Sequence, residues 1–546
     1  MCMNGEDIAL QINNLSVCYE QEGSLTEVLN GVTFKIYEGE ILSLVGESGS
    51  GKSTIAKAVG GLLPPSAYVK SGSMRLGTDT DISFNGNTPD WKAIRGKKLA
   101  FIFQDARLAL NPIVKIKDQF KETLLFHRIV SSKKEVWKIG TRYLKMLNFE
   151  NQEGILDSYP FQLSGGMCQR VCIALALCLS PSVLIADEPT SALDAISQRE
   201  VLNLLEKVKN ELGLSVLIIT HDMSVARAIS RRMIVLNRGT IVEEGETEKI
   251  FSNPKDAYTK QLISARGLFF KAAVKEEFCE DVILSARGLS KNFSRQEEVL
   301  KDISFDLHKA EIFGILGESG CGKSTLARCL IGLEQVDKGK LLFHGESIVK
   351  LEGKHRLEKC RRIQLIFQDA RACLNPRRKA LQIVREPLDY LNIGQKNERY
   401  SAARSYLDLV GITGDAQLRR PPQLSTGQCQ RVAIARALAA EPEILICDEA
   451  VSSLDMTVQA QILELLMRLH DNFGFSIIMI THDIQILRHF CHKIAVMKDG
   501  IFCEITEAGD KLDESRDPYT QLLLKNEFYF GKNCYLHQIN NSEVTK

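Results

Sequence analysis

Apolar and polar positions alternate through IALQINNLSVCY (8–19) and again through GVTFKIYEGEILSLVG (31–46), the signature of strands with one buried face. The same pattern returns in VILSARGLSKNF (282–293) and DISFDLHKAEIFGILG (302–317). In both copies the last strand runs into a glycine-rich loop. Short apolar blocks, Val183–Ala186 and Ile477–Ile480, have the length of strands buried on both faces. Between 112 and 160, and between 376 and 422, the periodicity turns helical and charged, which predicts a small helical subdomain inserted in each half. The stretch 64–90, rich in Ser, Gly, Asp and Asn, reads as loop around short strands.

The chain is therefore built twice. GESGSGKST at Gly46–Thr54 recurs as GESGCGKST at Gly317–Thr325, and every later motif recurs in the same order. The expected organisation is a first α/β domain over 6–266, a linker over 267–281, a second α/β domain over 282–530 and a polar tail over 531–546. Each domain is expected to hold a parallel core sheet, an antiparallel β region and the helical subdomain.

Composition narrows the setting. At 546 residues each half can bury its own core. The net charge of +1 supplies no basic field for nucleic acid. Cysteine numbers 15, an odd count with no CxxC pair, and the acidic start lacks a signal-peptide core, which favours reduced thiols. Cys168, Cys172 and Cys178 read as packing residues of a buried helix, and His489, Cys491 and His492 as ordinary packing and surface residues. Cys279 and Cys534 alone do not furnish an iron–sulfur site. No apolar run approaches the ~18 residues that cross a bilayer, so any membrane role runs through partners.

The chemistry sits in four short motifs per half. GxxxxGK[ST] fits Gly46–Ser53 and Gly317–Ser324. Gly46, Ser48, Gly49, Gly51 and Thr54, with Gly317, Ser319, Gly320, Gly322 and Thr325, shape a backbone cradle of N–H groups before a helix N-terminus. Lys52 and Lys323 are expected on the β- and γ-phosphates, and Ser53 and Ser324 on Mg2+. VLIADEP (183–189) and ILICDEA (444–450) read as buried strands ending at the metal. Asp187 and Asp448 are expected to hold Mg2+, and Glu188 and Glu449 to act as general bases.

LSGGMCQR (163–170) and LSTGQCQR (424–431) resemble the signature of the ATP-binding cassette (ABC) superfamily. Gln104 and Gln368 in FQD, SALD (191–194), SSLD (452–455), and the THD motifs with His221 and His482 follow the family order. The resemblance covers nearly the whole chain and implies two ATP- and Mg2+-dependent ATPase sites. It places Tyr19 and Phe293 on adenine, and Gln104 and Gln368 at the metal and in coupling to the helical subdomains. It makes His221 and His482 catalytic switch residues. It sets Ser164, Gly165 and Gly166, with Ser425 and Gly427, as anion sites that complete the opposite cassette's nucleotide site. Two departures stand out: Thr426 replaces a signature glycine, so the site built on Lys52 is expected to be slower, and Met167 replaces a glutamine, with less effect expected.

LNP after each FQD, AYTKQLISA (257–265) and PYTQLLL (518–524) resemble the ATPase pair of oligopeptide, dipeptide and nickel importers, fused in one chain. That branch implies two transmembrane permease subunits, an extracytoplasmic solute-binding protein, and a place on the cytoplasmic face of a prokaryotic membrane. The alternative is a soluble twin-cassette ATPase acting on ribosomes or DNA. The short linker and neutral charge disfavour it, and the YTxxL endings disfavour an exporter motor.

Overall fold

The computed structural model describes residues 7–21, 24–78, 80–84, 89–191, 193–268, 279–294, 297–349, 353–452 and 454–527. Most of the expected linker and the whole polar tail lie outside the described residues, as do Ala192 and Ser453 of the two LD motifs. Contacts group the rest into two compact units, one within Met1–Ser264 and one within Ala265–Glu527.

In the first unit the strands are β1 (Ile8–Gln21), β2 (Ser24–Tyr37), β3 (Ile41–Val45), β4 (Ala67–Leu76), β5 (Thr80–Ser83), β6 (Leu99–Ile102), β7 (Val183–Asp187), β8 (Ser215–Thr220), β9 (Arg232–Asn237) and β10 (Thr240–Glu246). They form an antiparallel sheet in the order β2-β1-β4-β5 and a six-stranded sheet in the order β10-β9-β3-β8-β7-β6. The larger sheet is parallel from β9 through β6, and β10 closes its edge antiparallel to β9. All of β3 and β8 is buried, as expected for central strands of a parallel sheet covered on both faces. One core lies between the two sheets and the helix Lys52–Val59. A second lies between the other face of the parallel sheet and the helices Ile116–Phe126, Lys133–Met146 and Gly165–Leu177.

The second unit repeats the plan with β11 (Val282–Ser294), β12 (Glu297–His308), β13 (Ile312–Leu316), β14 (Lys338–Phe343), β15 (Glu346–Ser347), β16 (Ile363–Ile366), β17 (Ile444–Asp448), β18 (Ser476–Thr481), β19 (Lys493–Lys498) and β20 (Ile501–Glu507). Its sheets run β12-β11-β14-β15 and β16-β17-β18-β13-β19-β20. Helices Ala380–Tyr390 and Arg399–Leu409 supply its helical subdomain.

This topology positions the chemistry. The Gly-rich loop leaves the carboxyl end of β3, Gln104 follows β6, Glu188 follows β7 and His221 follows β8. All four stand at the same edge of one parallel sheet, where open α/β sheets bind their ligands.

Candidate functional site

The loop after β3 wraps tightly because its glycines have no side chains to accommodate. A Cβ on Gly46 would lie 2.3 Å from the Leu236 carbonyl oxygen, and one on Gly317 would lie 2.4 Å from that of Met497. Gly51 and Gly322 cap the following helices at φ 107° and 110°, a backbone that side chains rarely adopt. Lys52, 5 % exposed, turns back into the loop and donates to the carbonyls of Gly46 and Glu47, each at 2.8 Å. Lys323 does the same with Gly317 at 2.8 Å and Glu318 at 2.7 Å. Each lysine is thus held inside a ring of backbone with its charge ready for phosphate.

The serine and the aspartate expected at the cation stand side by side in each unit. Ser53 Oγ donates to Asp187 Oδ1 at 3.2 Å, and Ser324 Oγ to Asp448 Oδ1 at the same distance. Burial pushes both aspartates above the ordinary carboxylate range, and the serine bond and loop lysine offset only part of that. A buried carboxylate so placed gains from a cation. Serine hydroxyl, carboxylate and the amide oxygen of Gln104 or Gln368 are the hard oxygen donors that suit Mg2+.

Glu188 and Glu449 stand one residue beyond each strand in the left-handed backbone region, both at φ 48°. Their N–H groups still bond to the neighbouring strand, to the carbonyls of Ile219 at 2.8 Å and Ile480 at 2.9 Å. A non-glycine residue there costs on the order of 1 kcal/mol or more, and such outliers gather at functional sites. The turn aims each carboxylate across the strand ends. Glu188 accepts from Gln104 Nε2 at 2.7 Å and meets His221 Nδ1 at 3.0 Å. Glu449 accepts from Gln368 Nε2 at 2.6 Å, while His482 Nδ1 stands at 3.6 Å and Lys323 Nζ at 4.0 Å. The second histidine is outside hydrogen-bond reach, so its pairing is Coulombic.

Burial alone would raise the Glu188 carboxyl; His221, Lys52 and Gln104 outweigh it and hold the group below its ordinary value. Glu449 is held down in the same way by His482, Lys323 and Gln368. Burial disfavours the charged form of His221, but the Glu188 partner prevails and raises it. Each site therefore sets an aspartate whose carboxyl burial raises beside a glutamate whose carboxyl its neighbours lower.

The signature serines cap their own helices. Ser164 Oγ accepts from Met167 N at 3.3 Å and Ser425 Oγ from Gln428 N at 3.2 Å, leaving each hydroxyl proton to donate outward. In the second unit Gln428 returns the bond, its Oε1 accepting from Ser425 N at 3.0 Å. Met167 has no oxygen with which to do so. Gly165 has open space where a Cβ would stand, so the exposed Thr426 at the matching position fits its own unit without strain. Gly166 and Gly427 lie against the helices Ala195–Leu212 and Met456–Phe473. Tyr19 packs partly against the first core, and Phe293 is exposed under Lys291, whose ammonium lies 5.3 Å from the ring centre.

Cys168, Cys172 and Cys178 are buried, each near a carbonyl, and His492 Nδ1 accepts from Ile312 N at 2.9 Å. Both are packing roles. Among the described residues no helix is long and apolar enough to cross a membrane.

Three features were not foreseen from sequence: the strained backbone at Glu188 and Glu449, the Gln104–Glu188 and Gln368–Glu449 bonds, and Tyr258. The Tyr258 hydroxyl, from the YTxxL segment, accepts from the backbone N–H of Glu47 in the Gly-rich loop at 2.9 Å. The motif itself was the available signal, since it carries a partly buried tyrosine whose hydroxyl can reach a backbone partner.

Comparison with known proteins agrees with this geometry. The family model described as ABC transporter matches residues 29–191 and 300–452. The model for the oligopeptide/dipeptide transporter C-terminal region matches residues 242–266. The glutathione import ATP-binding protein GsiA of Pectobacterium atrosepticum is 36 % identical, over 95 % of this chain and 89 % of that protein. GsiA of Salmonella choleraesuis is 35 % identical, over 94 % of this chain and 89 % of its own length. The uncharacterized ABC transporter ATP-binding protein YejF of Escherichia coli K12 is 35 % identical, over 94 % of this chain and 98 % of its own. The chain belongs to the ABC transporter family, as a two-cassette ATPase that uses ATP and Mg2+.

Proposed function

We propose that this chain is the motor of a peptide-class importer, converting ATP binding and hydrolysis into movement of two membrane-spanning partner subunits. The observation that carries this reading is the segment 242–266. It matches the oligopeptide/dipeptide transporter region, and it supplies Tyr258 to the phosphate loop. The relatives named for glutathione import align along almost the whole chain, which supports the same class. The motor works at the cytoplasmic face of a prokaryotic membrane, and an extracytoplasmic binding protein selects the cargo.

In this reading the loop N–H groups and Lys52 or Lys323 hold the β- and γ-phosphates, with Tyr19 or Phe293 against adenine. Ser53, Asp187 and Gln104, or Ser324, Asp448 and Gln368, hold Mg2+, which when bound neutralises charge on the phosphate oxygens. Glu188 and Glu449 orient the attacking water and take its proton as the phosphoanhydride bond breaks to give ADP and phosphate. His221 and His482 keep these carboxylates ionised and in place. Gln104 and Gln368 link the helical subdomains to the same carboxylates, a direct route from partner movement to the reacting water. The signature residues Ser164, Gly165, Ser425 and Gly427 supply further hydrogen-bond donors to phosphate.

The test is ATPase activity of the purified chain with its membrane subunits in vesicles and peptide-loaded binding protein. Stimulation by these components is expected. Stimulation by ribosomes or DNA, with none by membrane subunits, would overturn the importer reading.

A further inference from the structure

In each unit a glycine in the left-handed backbone region follows the phosphate-loop helix, and the two glycines meet opposite surroundings. Gly61, at φ 61°, comes after the helix Lys52–Val59, and Gly332, at φ 72°, after the helix Lys323–Leu330. The indole of Trp91 lies directly on Gly61, where a Cβ would stand 2.2 Å from Trp91 Cε2. Phe101 packs on Gly60 in the same way, 2.4 Å from a Cβ there to its Cζ. Arg95 closes the place: its guanidinium stands 5.2 Å from the centre of the Trp91 ring, and its Nε donates to the Gly60 carbonyl at 2.8 Å. At Gly332 no atom of the described residues lies within 4 Å of the same Cβ position.

The second half lacks the residues that fill this place in the first. Both tryptophans of the chain, Trp91 and Trp137, belong to the first half, and Leu365 stands on β16 where Phe101 stands on β6. Lys359 precedes β16 at the spacing at which Arg95 precedes β6, but it turns to Glu346 at 2.9 Å and to the Phe343 ring, 5.2 Å from its centre. Between the end of the helix Lys323–Leu330, β14 and β16 there is a cavity of about 130 Å3. Leu330, Val336, Leu341 and Ile363 give it apolar walls, and Cys329 and Lys359 also line it. The loop 331–336 forms one side, and it reaches the residue placed on adenine. The Gln335 carbonyl accepts from Lys291 Nζ at 2.8 Å, and that ammonium stands 5.3 Å from the centre of the Phe293 ring.

We propose that this cavity binds a flat aromatic molecule of one or two fused rings, in the place that the Trp91 indole takes in the first unit, and that nucleotide binding to the second unit responds to it. Size and shape fit. An apolar cavity of about 150 Å3 takes a benzene ring, and this one opens past Leu333, 58 % exposed, which leaves room for a second ring. The chemistry favours an aromatic over an aliphatic guest. A lysine ammonium is attracted to a ring face, as Arg95 is to Trp91, and the Cys329 sulfur is a polarisable neighbour for a ring edge. The link to nucleotide rests on the reading that Phe293 carries adenine. A guest that favours the arrangement in which Gln335 holds Lys291 over Phe293 favours nucleotide by the same factor.

The test follows the fluorine NMR signal of 5-fluoroindole in the presence of the full chain. Binding is expected as line broadening that unlabelled indole reverses, with a dissociation constant on the order of 0.1–1 mM for so small a ligand. Leu333→Trp and Val349→Trp each put an indole at a solvent-accessible lining position and should weaken binding about tenfold or more. In a Lys52→Ala chain, which leaves the second site to bind nucleotide, saturating indole should tighten a non-hydrolysable ATP analogue about twofold or more. The Lys323→Ala chain should show no such shift.

No broadening by the full chain would overturn the proposal, as would undiminished binding in both tryptophan variants. Competition by cyclohexanol equal to that by indole would overturn the aromatic assignment. An analogue affinity that indole leaves unchanged in the Lys52→Ala chain would overturn the link to nucleotide. Phe293→Ala in that chain tests the adenine reading separately: unchanged analogue affinity there would remove that reading, and the link with it, while the fluorine signal still decides the binding site.

Discussion

The Tyr258 hydroxyl accepts a 2.9 Å hydrogen bond from the backbone N–H of Glu47, joining the helix that ends the first cassette to its phosphate loop. The helix Ala257–Leu268 is thereby tied to the Gly-rich loop. Removing one such bond costs about 0.5–1.5 kcal/mol. Tyr258→Phe should therefore weaken binding of a non-hydrolysable ATP analogue to the first site by about two- to tenfold, with the fold intact. Titration of the Tyr258→Phe chain against the parent checks this. Equal affinities would show that the loop does not depend on the tyrosine.

Glu188 and Glu449 are held ionised beside the strand ends by histidine, lysine and glutamine neighbours. Glu188→Gln or Glu449→Gln should retain ATP binding and lower turnover at the altered site by ~10² or more. Single-turnover hydrolysis of each variant measures this. Full activity in Glu188→Gln would remove the general-base role.

Much of this was legible in the chain. The repeated GESGxGKST loops, the DE pairs after apolar strands and the paired signatures stood out in both halves, and buried β7 and β18 were visible as continuous apolar runs. The alternation in 8–19 located β1 but could not say that it pairs with both β2 and β4. Partner choice between strands depends on tertiary packing, which local periodicity does not record. The left-handed backbone of Glu188 was equally hidden. Glutamate has no preference for that region, so only the strand ladder imposes it. Gln104 read as a metal and coupling residue, and its bond to Glu188 emerged only when β6 and β7 were seen as neighbours.

The second signature glycine is packed differently in the two units. A Cβ on Gly427 would lie 2.6 Å from Val458 Cγ1, whereas one on Gly166 meets Ser197 Oγ at 3.4 Å. Valine is stiff at χ1 and cannot swing aside freely. Gly427→Ala should cost about 1–3 kcal/mol in the second unit, and Gly166→Ala much less. Thermal unfolding of the two variants decides it; equal shifts would contradict the packing argument.

Burial pushes the thiols of Cys172, Cys178 and Cys447 up to about 12. Because the thiolate is the reactive form, about one such group in ten thousand is reactive at pH 8. That fraction rises with pH and reaches half only near the raised value. Iodoacetamide at pH 8 should label exposed Cys279 in the native chain, and the three buried thiols only after denaturation. Rapid native labelling of Cys172 would contradict the packed-helix assignment.

As an importer motor, this chain should hold its membrane subunits when its two catalytic glutamates are removed. The most direct measurement is mass spectrometry of what co-purifies from native membranes, in Mg-ATP, with the tagged Glu188→Gln/Glu449→Gln chain. Two multi-spanning subunits together with a solute-binding protein are expected. Recovery of ribosomal or DNA-repair proteins without membrane subunits would contradict it, and would leave the ATPase without its transporter.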